Sequence, residues 1–113
     1  MSDAPESQVP EGAAVLPLIP SELGADPLLL AVLHAVVFLE GSDDAVVHPQ
    51  AAAEALEYLA GYLQRLEGPQ RRKVLEDLEA LAAFGRQEGW AKPAVRFLKD
   101  FAAEYGIGTE ETT

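Results

Sequence analysis

Residues 26–41 read DPLLLAVLHAVVFLEG, and every position from Leu28 to Leu39 is apolar except His34. A helix that is apolar on all sides belongs in a core, so the other elements should surround it. Its ends are signalled as well. Asp26 suits the N-cap, Pro27 the first turn, where a missing N–H costs nothing, and Gly41 the left-handed position that closes a helix. The run is short of the ~20 residues that span a bilayer, so it reads as a core helix and no membrane role is expected. Burying all nine of its large apolar side chains, at about 1.5–3 kcal/mol each, would supply on the order of 15–25 kcal/mol gross, more than any other segment.

Three more helices follow toward the C-terminus. After the connection SDDAVVH (42–48), Pro49 opens QAAAEALEYLAGYLQRL (50–66), where Ala52, Leu56, Leu59, Leu63 and Leu66 recur at steps of four and three. Gly68-Pro69 breaks the chain before PQRRKVLEDLEALAAFGRQE (69–88), with Val74, Leu78, Leu81 and Gly85 on one stripe and Leu75 and Ala82 beside it. Gly89 fits the position after that helix, and Trp90 should pack back on its last turn. Pro93 opens PAVRFLKDFAAEY (93–105), whose Phe97, Leu98, Phe101, Ala102 and Tyr105 form a core face before Gly106 stops it. No alternating apolar and polar run supports a strand. The expected fold is all-α: a compact four-helix bundle with a central apolar first helix over residues 27–40.

Toward the N-terminus, Pro5, Pro10, Pro17 and Pro20 exclude a helix or central strand through residues 1–25. Residues 1–13 read as a disordered tail, residues 14–106 as a single helical domain and residues 107–113 as a frayed tail. Within residues 14–23, Val15, Leu16, Leu18, Ile19 and Leu23 form an apolar cluster. That cluster is expected as an extended Pro-rich strap across the bundle; the competing reading is a docking motif for a partner.

Composition narrows the chemistry. A chain of 113 residues builds one core. The absence of cysteine removes disulfides, thiolate chemistry and Cys-based zinc sites. The acidic, polar start MSDAPESQ is unlike a secretory leader, which makes a cytoplasmic location the expectation. Serines occur only at 2, 7, 21 and 42 and threonines only at 109, 112 and 113, all off the predicted helices, so no nucleophile, base and orienting acid can be grouped. GPQRRK lacks the spacing of a phosphate loop. Neither an enzyme nor a cofactor is expected.

Charge is the stronger signal. The net charge is −11, yet there are ten acids and no base before Arg65, against nine acids and eight bases from Arg65 onward. Such a field repels nucleic acid and anionic lipid and favours cationic surfaces. The expected function is therefore non-enzymatic: a small acidic helical protein that binds a protein partner with a basic surface, as an adaptor, inhibitor or immunity-type antagonist would. Its candidate surface is Glu40, Asp43 and Asp44 with Glu54 and Glu57. Tyr58 and Tyr62, four residues apart, offer aromatic contacts at an interface or close the core against the strap.

Arg71, Arg72 and Lys73 place three cations in the first turn of a helix, opposing its dipole at about 0.3–1 kcal/mol each. Pairing of Arg72 with Glu76 and Lys73 with Asp77 would offset this, as would an acidic group on a second chain. Glu40, Asp43, Asp44 and His48 raise the alternative of a cation- or small-ligand-binding module, but their spacing matches neither an EF-hand loop nor a helical zinc site, and no metal is expected. His34 reads as a structural histidine that bonds a carbonyl or reaches the bundle edge. A self-associating helical subunit, and hence a homo-oligomer, is the remaining alternative.

Overall fold

A computed structural model describes residues 11–107. It contains four helices, α1 (Pro27–Gly41), α2 (Pro49–Leu63), α3 (Gly68–Glu88) and α4 (Lys92–Glu104), with a 3-10 turn at Ser21–Leu23 before α1 and no strand among the described residues. The protein is all-α. Residues 1–10 and 108–113, which hold most of the two expected tails, lie outside the described residues.

The helix starts follow the sequence. The Asp26 carboxylate accepts the Leu28 N–H at 2.8 Å, and Pro27 occupies the first turn. His48 caps α2 in the same way, its Nδ1 accepting the Ala51 N–H at 3.4 Å ahead of Pro49. At the end of α3, Gly89 takes φ 76°, and Trp90 N–H donates to the Gly85 carbonyl at 2.9 Å. The Trp90 ring then folds back over Gly85, where an added Cβ would meet it at 2.7 Å.

Gly41 departs from expectation. It remains within α1 without a left-handed φ, and the chain leaves through extended Ser42 at φ −77° and ψ 153°. Glycine is needed there for close approach, because a Cβ at 41 would stand 2.9 Å from the Ala14 Cβ. The N-terminal segment crosses at that point, and Ala14 N–H donates to Ser42 Oγ at 2.9 Å. Along this extended segment Leu16 and Ile19 are buried, while Val15 and Leu18 face outward. Ile107 also departs from the expected frayed tail. It is buried, held by a hydrogen bond from its N–H to the Ala102 carbonyl at 2.8 Å after Gly106 turns the chain.

In space α1 lies beside α2, and α3 beside α4. A cavity lined by Leu28, Leu29 and Val32 together with Leu63 and Leu66 puts the start of α1 against the end of α2, so that pair is antiparallel. The core combines Leu29, Leu33 and Val36 of α1 with Val74, Leu78, Leu81 and Ala82 of α3 and Val95, Leu98 and Phe101 of α4, closed by Leu16, Ile19, Tyr105 and Ile107. Within it, Phe101 stacks at a tilt on Tyr105 and edge-on against Phe97.

The expectation of a first helix surrounded on all sides is corrected. Only Leu29, Leu33 and Val36 of α1 are buried, whereas Leu28, Ala31, Ala35 and Phe38 are exposed, Leu28 to 77%. The three buried side chains account for about 5–9 kcal/mol of apolar transfer, well short of the sum for all nine. The reason is geometric. With α2 on one flank, and the N-terminal segment and α4 on the other, the four helices form two stacked pairs, and the outer side of α1 has no helix left to cover it.

Candidate functional site

Glu40, Asp43 and Asp44 gather where α1 passes to α2, and all three are exposed. Asp43 organises this connection through its backbone: its carbonyl accepts the N–H groups of Val46 and Val47 at 2.9 and 3.0 Å, and its own N–H donates to the Gly12 carbonyl at 2.8 Å. The carboxylates of Asp43 and Asp44 stay on the surface. Glu54 and Glu57 extend the acidic surface along the first turns of α2, again exposed. All five acids are thus exposed, Glu40, Asp43 and Asp44 at or beside the connection between α1 and α2, and Glu54 and Glu57 further along α2.

Glu40 has a second attachment that the sequence did not reveal. The Tyr105 hydroxyl donates to Glu40 Oε2 at 2.7 Å, across 65 positions of sequence. Burial, reinforced by that hydrogen bond and the carboxylate's negative charge, holds the Tyr105 pKa well above its ordinary value of 10.0. Glu40 is therefore fixed in place while still presenting charge to solvent.

Tyr58 and Tyr62 are 69% and 61% exposed, so they do not close the core against the N-terminal segment. They lie one turn apart on the outer side of α2, and the Arg65 guanidinium sits 4.9 Å from the centre of the Tyr62 ring.

The three cations Arg71, Arg72 and Lys73 belong to the other end of the α1–α2 pair, about 22 Å away if measured along a 15-residue helix. Two of them serve the fold. Arg71 donates to the Leu66 carbonyl at 3.4 Å, and Lys73 donates to Asp77 Oδ1 at 2.9 Å and to the Gly24 carbonyl at 3.4 Å. The hydrogen bond to Asp77 raises the Lys73 pKa above its usual value. Arg72 stays exposed without the anticipated Glu76 pair among the described residues. Asp77 was visible as the i+4 partner of Lys73, but its larger task was not. It is the buried carboxylate whose Oδ2 accepts the Asp26 N–H at 3.0 Å, tying the start of α1 to the middle of α3.

The possible cation ligands do not assemble. Among the described residues no three His, Asp or Glu side chains converge on a metal-sized site. His48 spends its Nδ1 on the α2 cap, and Glu40 points toward Tyr105. His34 is half-buried at the bundle edge and makes no hydrogen bond among the described residues.

One charged feature escaped the sequence. Arg86 at the end of α3 and Lys92, Arg96 and Lys99 along α4 surround a groove of about 450 Å³ that also holds Trp90 and Asp100. None of these four cations has an ion-pair partner among the described residues. The steps of four and three from Lys92 to Arg96 to Lys99 could have flagged a shared face; the contribution of Arg86 depends on the turn at Gly89. Seven of the eight basic side chains thus belong to α3 and α4, four of them around this groove, whereas α1, α2 and their connection carry acids and no Lys or Arg. Comparison with protein-family models, curated proteins and solved structures finds no match to this chain. Among the described residues no helix is long and apolar enough to cross a membrane.

Proposed function

We propose that the protein acts without catalysis, in the cytoplasm, by binding a protein with a basic surface, as an adaptor, inhibitor or immunity-type antagonist does. The contact surface is Glu40, Asp43 and Asp44 with Glu54 and Glu57. The observation that supports this most is the segregation of charge: the α1–α2 pair bears no Lys or Arg, and four cations without an ion-pair partner among the described residues line the α3–α4 groove. A basic partner is drawn to one side of such a molecule and turned away from the other, which orients the encounter before contact. Glu40, anchored by Tyr105, and the backbone-bonded turn at Asp43 make the acidic region pre-organised, so little ordering entropy is lost on binding.

The test compares the wild type with a variant carrying Glu40→Gln, Asp43→Asn, Asp44→Asn, Glu54→Gln and Glu57→Gln. Both serve as immobilised bait at low and at physiological salt, with association rates then measured for the retained protein. The expected result is a partner held by the wild type, released by salt and lost from the variant, while Arg96→Gln with Lys99→Gln leaves association as fast or faster. Equal retention by the neutralised variant, with its helicity intact, would refute this surface.

A further inference from the structure

We propose that the outer face of α1, with the adjoining Tyr58 and Tyr62 edge of α2, is the interface of a two-fold symmetric dimer of this chain. The inference is independent of the acidic surface and its basic partner. It starts from a mismatch: a helix without a charged side chain from Pro27 to Leu39 leaves Leu28 77%, Phe38 40%, Tyr58 69% and Tyr62 61% exposed, with Ala31 and Ala35 open between them. Exposed apolar side chains of that kind, on two helices that pack together, mark a contact site.

Three features point to a second copy as the occupant. The first is symmetry. Leu28, Ala31, Ala35 and Phe38 follow one another at steps of three, four and three, a spacing that reads identically in both directions about the level of Leu33. Two copies of α1 laid antiparallel across an axis at that level set Leu28 of each against Phe38 of the other and Ala31 against Ala35. The paired alanines let the helix axes approach closely. Residue i meets j and j meets i, as a two-fold interface requires. The same axis keeps α2 over α2, bringing the tyrosines of the two copies together.

The second feature is charge. Each copy carries −11, so two copies repel each other over most orientations and meet with least penalty through a face that holds no charge. A basic partner finds nothing complementary there. The third is area. The exposed parts of these six side chains amount to roughly 500–600 Å² per copy, hence about 1,000–1,200 Å² for the pair, just at the lower bound of a specific interface. Such a dimer is specific but modest, dissociating on dilution through the micromolar range.

Sedimentation equilibrium of the full chain from about 1 μM to about 0.5 mM tests this directly. Mass should rise from monomer to dimer and stop there. Because screening relieves repulsion between like-charged copies, raising salt should tighten the dimer; for the acidic surface and its basic partner, salt acts in the opposite direction. Ala35→Glu, at an exposed position, should weaken dimerisation about tenfold or more by placing like charges near the axis, with circular dichroism showing whether the helices persist. The absence of native cysteine gives a second measurement. On oxidation, a mixture of Leu28→Cys and Phe38→Cys chains should cross-link to each other several-fold faster than either does to itself. A monomer at every concentration, a dimer indifferent to Ala35→Glu, or self cross-linking that matches the mixed reaction would each overturn the proposal.

Discussion

Replacing Asp77 by alanine probes how the two helix pairs are held in register. Asp77 is only 6% exposed, and its carboxylate accepts the backbone N–H of Asp26 at 3.0 Å and the Lys73 ammonium at 2.9 Å. Asp26 in turn caps α1 through the Leu28 N–H. One side chain therefore positions the residue that starts the most apolar helix. A hydrogen bond to a charged acceptor contributes about 1.5–3 kcal/mol, and its loss leaves the part-buried Asp26 N–H without an acceptor. The Lys73 ammonium is solvated, so its pair adds little, and removing a buried carboxylate recovers part of its desolvation cost. The net expectation for Asp77→Ala is a loss of about 2 kcal/mol, while Asp77→Asn, which keeps an acceptor oxygen, should lose about half as much. Urea unfolding at neutral pH reads this as a midpoint shift of about 1 M at a typical slope of about 2 kcal/mol/M. An alanine variant within about 0.5 kcal/mol of wild type, or an asparagine variant as damaged as alanine, would refute the assignment of Asp77 as the tie between α1 and α3.

Two glycines should respond to alanine with opposite signs. At Gly85 the new methyl would meet the Trp90 ring at 2.7 Å and Val95 at 3.3 Å, so overpacking of about 1–3 kcal/mol outweighs a helix-propensity gain of about 1 kcal/mol, and Trp90 fluorescence should shift. At Gly61, exposed in α2 with nothing within 4 Å of an added Cβ, alanine should raise stability by about 0.5–1 kcal/mol in the same assay. Tyr105 gives a pH dependence: its pKa is higher in the folded protein than the 10.0 of the free side chain. Its contribution is therefore intact below about pH 10 and falls as pH rises further, because the unfolded chain ionises first. Tyr105→Phe should flatten the loss of urea midpoint between about pH 8 and about pH 11; Lys73, raised for its own reason, keeps the remaining slope in the same direction. Calcium, magnesium and zinc should leave the melting temperature unchanged, since nothing among the described residues gathers their ligands; a saturable rise abolished by Asp43→Ala with Asp44→Ala would reverse that conclusion.

What could be read from the sequence was what depends on neighbours along the chain. Helix starts at Pro27 and Pro49, a start within one residue of Pro93 (at Lys92), the stop at Gly89, and the stripe of Val74, Leu78 and Leu81 all arise from local rules, and the structure follows them. Gly41 was misread because local rules assign a terminal glycine to a left-handed turn, whereas this one is required by Ala14, 27 positions away, passing within van der Waals distance. The partnerships of Asp77 with Asp26 and of Tyr105 with Glu40 were hidden for the same reason, as was the meeting of Arg86 with the cations of α4. The acidic sign of α1, α2 and their connection was legible because a complete lack of Lys and Arg before Arg65 forces one sign of charge on whatever surface those residues make.

The outer face of α1 is a different kind of discrepancy. Composition states that Leu28 to Leu39 should leave water, and the fold of one chain satisfies this on a single side, through Leu29, Leu33 and Val36. A rule about burial is not limited to one chain: apolar area removed from water by a second molecule gains the same free energy per Å² as area removed by a neighbouring helix. The symmetric spacing of Leu28, Ala31, Ala35 and Phe38 would serve no purpose in packing against α2 or α3, which meet α1 on other sides. Dimerisation resolves the mismatch by completing the enclosure that the first helix lacks in the isolated chain.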